Sequence, residues 1–181
     1  MGKLLDMLQE ANLNVLDLRG EMPTNPNVPW NLRNLSDIRG IVVHHTGGWR
    51  TATPYNLARW HIEKRNFPGL AYTFYLRYPY MAYPPNVEWA FCHKLREWGP
   101  HAKGVNAETF GVGLGGNYED SEPPIWMVES LKKLIEVLQR FFEEETGNEL
   151  WVLPHFSVID TVCPGKVWDV YQRLLMEGNN E

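Results

Sequence analysis

Three observations on the 181-residue sequence predict a single α/β domain with a mixed central β-sheet flanked by helices. Short β-branched or aromatic runs alternate with helical patterns. The alternation lacks the strict βαβ repeat of an all-parallel sheet, and the length suits one hydrophobic core.

Residues 3–10 pattern as a short helix, and NVLDLR (14–19) alternates like a strand. The segment EMPTNPNVPWN then breaks regular structure and reads as an ordered surface loop, so residues 1–37 form an N-terminal extension packed on a domain of residues 38–181. IRGIVVHH (38–45) is the strongest strand pattern, ended by Gly47 and Gly48. Thr53 can cap a helix with Pro54 at its first position, running through TPYNLARWHIEKR and stopping near Asn66 and Pro68. LAYTFYLRYPYMAYPP (70–85) reads as one or two strands, VEWAFCHK (87–94) as another, and TFGVGLGGNY (109–118) as a strand thinned by glycine. From Ile125 to Thr146, Val128, Leu131, Ile135, Leu138 and Phe142 share one helical face, and Gly147 supplies the stop. LWVLPHF (150–156) is a short strand and VWDVYQRLLM (167–176) a last helix.

Hydrophobic residues make up 44% and charged residues 22%, and no apolar run approaches the roughly 20 residues of a membrane span. A net charge of -5 offers no basic footprint for nucleic acid. Cys92 and Cys163 are too few for a disulfide framework. The start MGKLLDMLQEANLN lacks a signal-peptide core, and Asp6 occupies the Ser/Thr position of a myristoylation signal. Synthesis without an export signal is expected, so a substrate outside the cytoplasm would be met only after release.

Gly111, Gly113 and Gly116 spell G-x-G-x-x-G, but a dinucleotide site needs a helix at once and NYEDSEPP follows. Glycines that let another group approach the strand are the better reading. A metal site is the sharper possibility, with His44, His45, His61, His93, His101, His155, Cys92 and Cys163 as candidate ligands. Successive strand side chains point to opposite faces, so His44 and His45 cannot both enter one site, and the same holds for Cys92 and His93. Strand parity leaves open which of His44 and His45 points in. His155 and Cys163 are joined by a loop that can fold back, with Pro164 and Gly165 behind the thiol.

The blocks IVVHHTGG, RWHIEKRNFPGLAYTFYL, PHAKGVNAETFGVGLGGNY and LPHFSVIDTVCPGK, in that order, resemble the type-2 N-acetylmuramoyl-L-alanine amidases. That family includes bacteriophage endolysins and peptidoglycan-recognition proteins, and the likeness spans about residues 38 to 170. It implies a mixed sheet with helices and a Zn²⁺ ion held by His44, His155 and Cys163. It also implies Tyr72 and Thr161 as catalytic groups, and His101 and Asn106 along the groove. The implied reaction is hydrolysis of the amide between N-acetylmuramic acid and L-alanine in peptidoglycan, in the manner of a phage endolysin. Wall-recycling relatives carry a glutamate where this chain has Gly113, and recognition proteins usually have a disulfide near the groove that this chain cannot make. A non-catalytic wall-binding module and an intracellular regulatory partner are the rival readings. Asp160 and His101 are candidates for the proton relay. Trp49, Trp60, Trp89 and Trp98 lie near the blocks and could stack on sugars, with Trp60 expected to be packing.

Overall fold

The computed structural model describes residues 2–48, 50–77 and 88–178. Trp49, the second half of the run 70–85, and Val87 at the start of the expected strand 87–94 lie outside the described residues. Six strands make one sheet: β1 (Asn14–Asp17), β2 (Gly40–His45), β3 (Tyr72–Leu76), β4 (Glu88–Phe91), β5 (Thr109–Leu114) and β6 (Trp151–Pro154). Their order is β1-β4-β3-β5-β2-β6, with β3 and β4 antiparallel and every other neighbouring pair parallel. The sheet is therefore mixed, as the irregular alternation predicts. Four helices complete the fold: α1 (Gly2–Glu10), α2 (Pro54–Arg65), α3 (Ile125–Thr146) and α4 (Lys166–Gly178).

Strand parity divides the sheet into two unequal faces. Ile41, Val43, Phe74, Phe91, Phe110, Val112 and Leu114 point to one side, into a core completed by α1, α3 and α4. On α3 the whole predicted face is buried there, and Gly147 ends the helix at a φ of 73° that a side chain would strain. Each fully buried Phe of this core contributes about 1.5–3 kcal/mol through removal from water. The opposite face is thinner: Leu18, Ala58, Leu70, Tyr75, Ala90 and Cys92 pack together under α2. Thr53 caps α2 by accepting the Asn56 N–H at 3.1 Å, and Asn66 ends it in the left-handed region. Because α2 covers only part of this face, the end of β2 and the start of β3 border a groove beside it.

Residues before the central strand are built into the same sheet. β1 forms an edge beside β4, and Leu4, Met7 and Leu8 of α1 enter the larger core. Arg33 is buried and donates through Nε to the Leu95 carbonyl at 3.0 Å and through Nη1 to the carbonyls of Asn106, Ala107 and Thr109. It fastens the N-terminal segment to the loop that precedes β5. The expected strand at 150–156 is shorter, because Pro154 leads into a 3-10 turn over His155–Ser157.

Candidate metal centre and its groove

β2 delivers the two adjacent histidines to opposite sides, as period-two geometry requires. His44 pairs with Gly113 of β5 and lies on the face that α2 only partly covers. Its neighbour faces the other way, and the His45 Nδ1 accepts the Tyr118 N–H at 3.0 Å.

His44, His155 and Cys163 come together at the strand end, with one ligand atom from each all within 4.8 Å. Among the described residues they are the one group of three that could share an ion. Cys163 Sγ stands 3.9 Å from His44 Nδ1, and the rings of His44 and His155 have centroids 4.3 Å apart. Two imidazole nitrogens and a sulfur suit a tetrahedral zinc with one position left for water. A further sign of fit is His155 Nε2, which is buried without a hydrogen-bond partner. Such an orphan costs about 1–3 kcal/mol unless something else occupies it.

Electrostatics favour neutral ligands. Burial, then the neighbouring His101 and His155, holds His44 well below the ordinary histidine range. Burial, then His45, lowers His155 as well. Burial pushes the Cys163 thiol up to about 12, although the His45 N–H donates to its sulfur. A cation would reverse that last shift by stabilising the thiolate.

The glycines of β5 make room for rings. A Cβ on Gly111 would stand 2.9 Å from His101 Cγ, and one on Gly113 would stand 2.6 Å from Tyr72 Cδ2. No helix opens after these glycines until Ile125, as the sequence argument against a nucleotide requires. Both His101 nitrogens are engaged, Nδ1 with His44 at 3.0 Å and Nε2 with Thr109. Asn106 uses its Oδ1 to accept the N–H groups of His101 and Ala102 at 3.0 and 2.8 Å. These two residues thus brace the centre and its loop instead of offering those atoms to a groove occupant.

Tyr72 flanks the cluster, its ring centroid 5.3 Å from that of His44. Burial raises its phenol well above the usual range, so it stays protonated and can donate. Thr161 Oγ1 accepts the Cys163 N–H at 3.3 Å, which leaves its hydroxyl proton free to aim into the groove it lines. Asp160 is exposed and is not among the groove-lining residues.

The groove over the cluster has a volume of about 560 Å³ and is lined by Tyr72, His101, Thr161, Trp60 and the three candidate ligands, among others. It continues into a recess of about 480 Å³ along α2, past Asn56 and Leu57, with Trp60 and Tyr72 lining both. The expectation that Trp60 packs in the core is corrected: its side chain is 46% exposed. α2 is mostly polar and turns only Pro54, Ala58 and His61 inward, so Trp60 falls on the groove side. Trp89 is fully buried instead, donating to Ser130 Oγ at 2.8 Å. Sequence reasoning missed Arg33 and Thr109; neither lies in a pattern that marks it, since their partners are backbone atoms and one distant ring.

A model of the N-acetylmuramoyl-L-alanine amidase family matches residues 34–166. A peptidoglycan-recognition protein of Drosophila simulans is 24% identical over 152 residues, covering 80% of this chain and 76% of that protein. The fold is similar to that of the endolysin N-acetylmuramoyl-L-alanine amidase LysCS from Clostridium intestinale URNW. The TM-score is 0.63 at 23% identity, over 90% of this chain and 95% of that one. Drosophila peptidoglycan recognition protein SD superposes with a TM-score of 0.70 at 19% identity, over 90% and 93% of the two chains. With four ordered sequence blocks folded around one cluster and the family match covering most of its length, this chain belongs to the N-acetylmuramoyl-L-alanine amidase family.

Proposed function

We propose that the protein is a zinc-dependent hydrolase that cuts the amide between N-acetylmuramic acid and L-alanine in bacterial peptidoglycan, acting in the manner of a phage endolysin. The observation that carries this reading is the His44, His155 and Cys163 cluster at the floor of an open groove, with His155 Nε2 buried and unpartnered. Zinc held there would lower the pKa of its bound water toward ~7 and polarise the scissile carbonyl.

The remaining groups act around that centre. Tyr72 keeps its phenol proton and donates it as a hydrogen bond toward the carbonyl oxygen as negative charge develops. Thr161, oriented by the Cys163 N–H, lines the same groove and donates its hydroxyl proton to the same oxygen. A preorganised donor of this kind lowers a barrier by roughly 3 kcal/mol. Trp60 offers an exposed ring where groove and recess meet, suited to the apolar face of a sugar. The wall polymer is thus bound along α2 with its amide over the cluster.

The test is incubation of the purified protein with peptidoglycan, with and without a zinc chelator, followed by assay of newly exposed L-alanine amino groups. Zinc-dependent release is expected. Stoichiometric zinc without release would support the rival reading, a wall-binding module, which the recognition-protein relatives keep in view.

A further inference from the structure

The His44 ring has two nitrogens with different neighbours. Nδ1 faces the Cys163 sulfur, while Nε2 lies 3.0 Å from His101 Nδ1. Two ring nitrogens at that distance share one proton, so one ring donates and the other accepts. The far side of His101 decides which.

His101 Nε2 is 3.1 Å from Thr109 Oγ1 and 3.4 Å from the Thr109 carbonyl oxygen. A carbonyl only accepts. The Thr109 hydroxyl gives its own proton to the Val105 carbonyl at 2.7 Å, so it too accepts from the imidazole. Both neighbours therefore require the His101 proton on Nε2, which leaves Nδ1 as the acceptor. His44 then carries its proton on Nε2, and its Nδ1 lone pair is bare and turned toward Cys163.

We propose that His101 is a positioning residue that, held by Thr109, fixes His44 in the tautomer and ring orientation a metal ion needs; this rests on the zinc reading of the cluster. Three further contacts hold the device still. Gly111 lies against the His101 ring with no Cβ to displace it. Asn106 ties the His101 backbone, and Arg33 donates to the Thr109 carbonyl from the N-terminal segment. Metal-bound imidazoles commonly give their second N–H to a carboxylate, a carbonyl or water. Here the acceptor is a neutral ring, which adds less negative charge to the ligand than a carboxylate would and leaves the ion a stronger Lewis acid.

The experiment measures zinc affinity of metal-stripped protein by competition with a chromophoric chelator, alongside thermal unfolding of the metal-free form. His101→Ala is expected to weaken zinc 10–100-fold, the range typical for loss of such a partner. His101→Asn, whose Oδ1 can stand near the place of Nδ1, is expected to recover most of that loss. Thr109→Val, which keeps the carbonyl and removes the hydroxyl, is expected to weaken zinc several-fold and serves as the readout if His101→Ala does not fold. Affinity within twofold of the parent in folded His101→Ala, or equal loss in the Ala and Asn variants, overturns the proposal. A parent protein that takes up no zinc overturns the zinc reading itself.

Discussion

The backbone N–H of His45 donates to the sulfur of Cys163 across 3.3 Å, so the histidine whose ring turns away from the cluster still touches it through its main chain. The adjacent pair therefore divides two tasks. His44 presents a ring to the centre, and His45 presents an amide to the thiol and its ring to Tyr118. His44→Ala is expected to abolish stoichiometric zinc binding while leaving the fold intact. His45→Ala keeps its N–H and should keep zinc, but loses the buried hydrogen bond from the Tyr118 N–H to the ring, at a cost of about 1–3 kcal/mol. Zinc titration and urea unfolding of the two variants separate these roles, and the opposite pattern would reverse the assignment.

Much of this arrangement was legible in the sequence, and the parts that were not share a physical cause. Helix α3 is announced by its periodicity and Gly147, and β2 by its β-branched run, because a single element buries one regular face. Strand parity says that His44 and His45 must separate, but both parities carry apolar neighbours, and only long-range packing shows which face α2 leaves open. Trp60 misleads for the same reason: a large aromatic on a capped helix reads as core, and exposure depends on where the helix ends relative to the groove. Arg33 works through backbone carbonyls, which every residue possesses, and Thr109 through a carbonyl and a hydroxyl that meet the ring of His101 only in the fold, so no residue pattern reveals them.

Zinc binding should release a proton. Burial holds the Cys163 thiol up at about 12, so it is protonated near neutrality and must lose that proton to bind as thiolate. Zinc affinity should therefore rise at least tenfold per pH unit between roughly pH 7 and 9, where both histidines are already neutral and ionisation of the bound water adds to the slope. Calorimetry in buffers of different ionisation enthalpy should count at least one proton released per ion, the thiol's, with any excess over one coming from the bound water. Affinity independent of pH over that range would show that the sulfur is not a ligand.

Gly113→Ala probes Tyr72 without touching it chemically. The added methyl would stand 2.6 Å from the tyrosine ring, so the ring must move. Overpacking of this kind costs about 1–3 kcal/mol of stability. Zinc affinity should change little, because Tyr72 belongs to none of the three ligands. Turnover on peptidoglycan should fall at least tenfold, since a donor displaced by an ångström no longer reaches the developing charge. Measuring kcat and zinc affinity on the same preparation checks both halves.

Trp60→Ala tests whether the exposed ring at the junction of groove and recess holds substrate. Nearly half of the side chain faces solvent, and its firm contacts are the His61 ring edge and the Arg65 guanidinium 5.3 Å from its centroid. Removing it should shift the midpoint of thermal unfolding by no more than a few degrees. KM for peptidoglycan should rise several-fold with kcat nearly unchanged, the mark of lost binding that ground state and transition state share. Unchanged KM would remove Trp60 from the substrate path.

His93 makes stability pH-dependent at a distance from the groove. Its ring is buried 4.7 Å from Trp30; Nδ1 donates to the Lys94 carbonyl and Nε2 accepts from Thr73 Oγ1, both at 3.3 Å. Burial, with Arg33 nearby opposing a second positive charge, pushes its pKa down to about 4. An unfolded histidine titrates near 6.5. Between those values the unfolded chain binds a proton that the folded chain refuses, so stability falls as pH drops from about 6.5 to 4 and levels off below. The loss from this one ring is on the order of 3 kcal/mol. His61 is depressed by burial to about 4 as well, and burial also lowers His44, His45, His101 and His155, so the parent curve alone cannot assign the effect. His93→Gln removes one titrating group and leaves the others. Urea unfolding at a series of pH values should give the variant a shallower acid slope than the parent, lower by up to one proton. Parallel slopes would mean that His93 already titrates at its ordinary value in the folded protein.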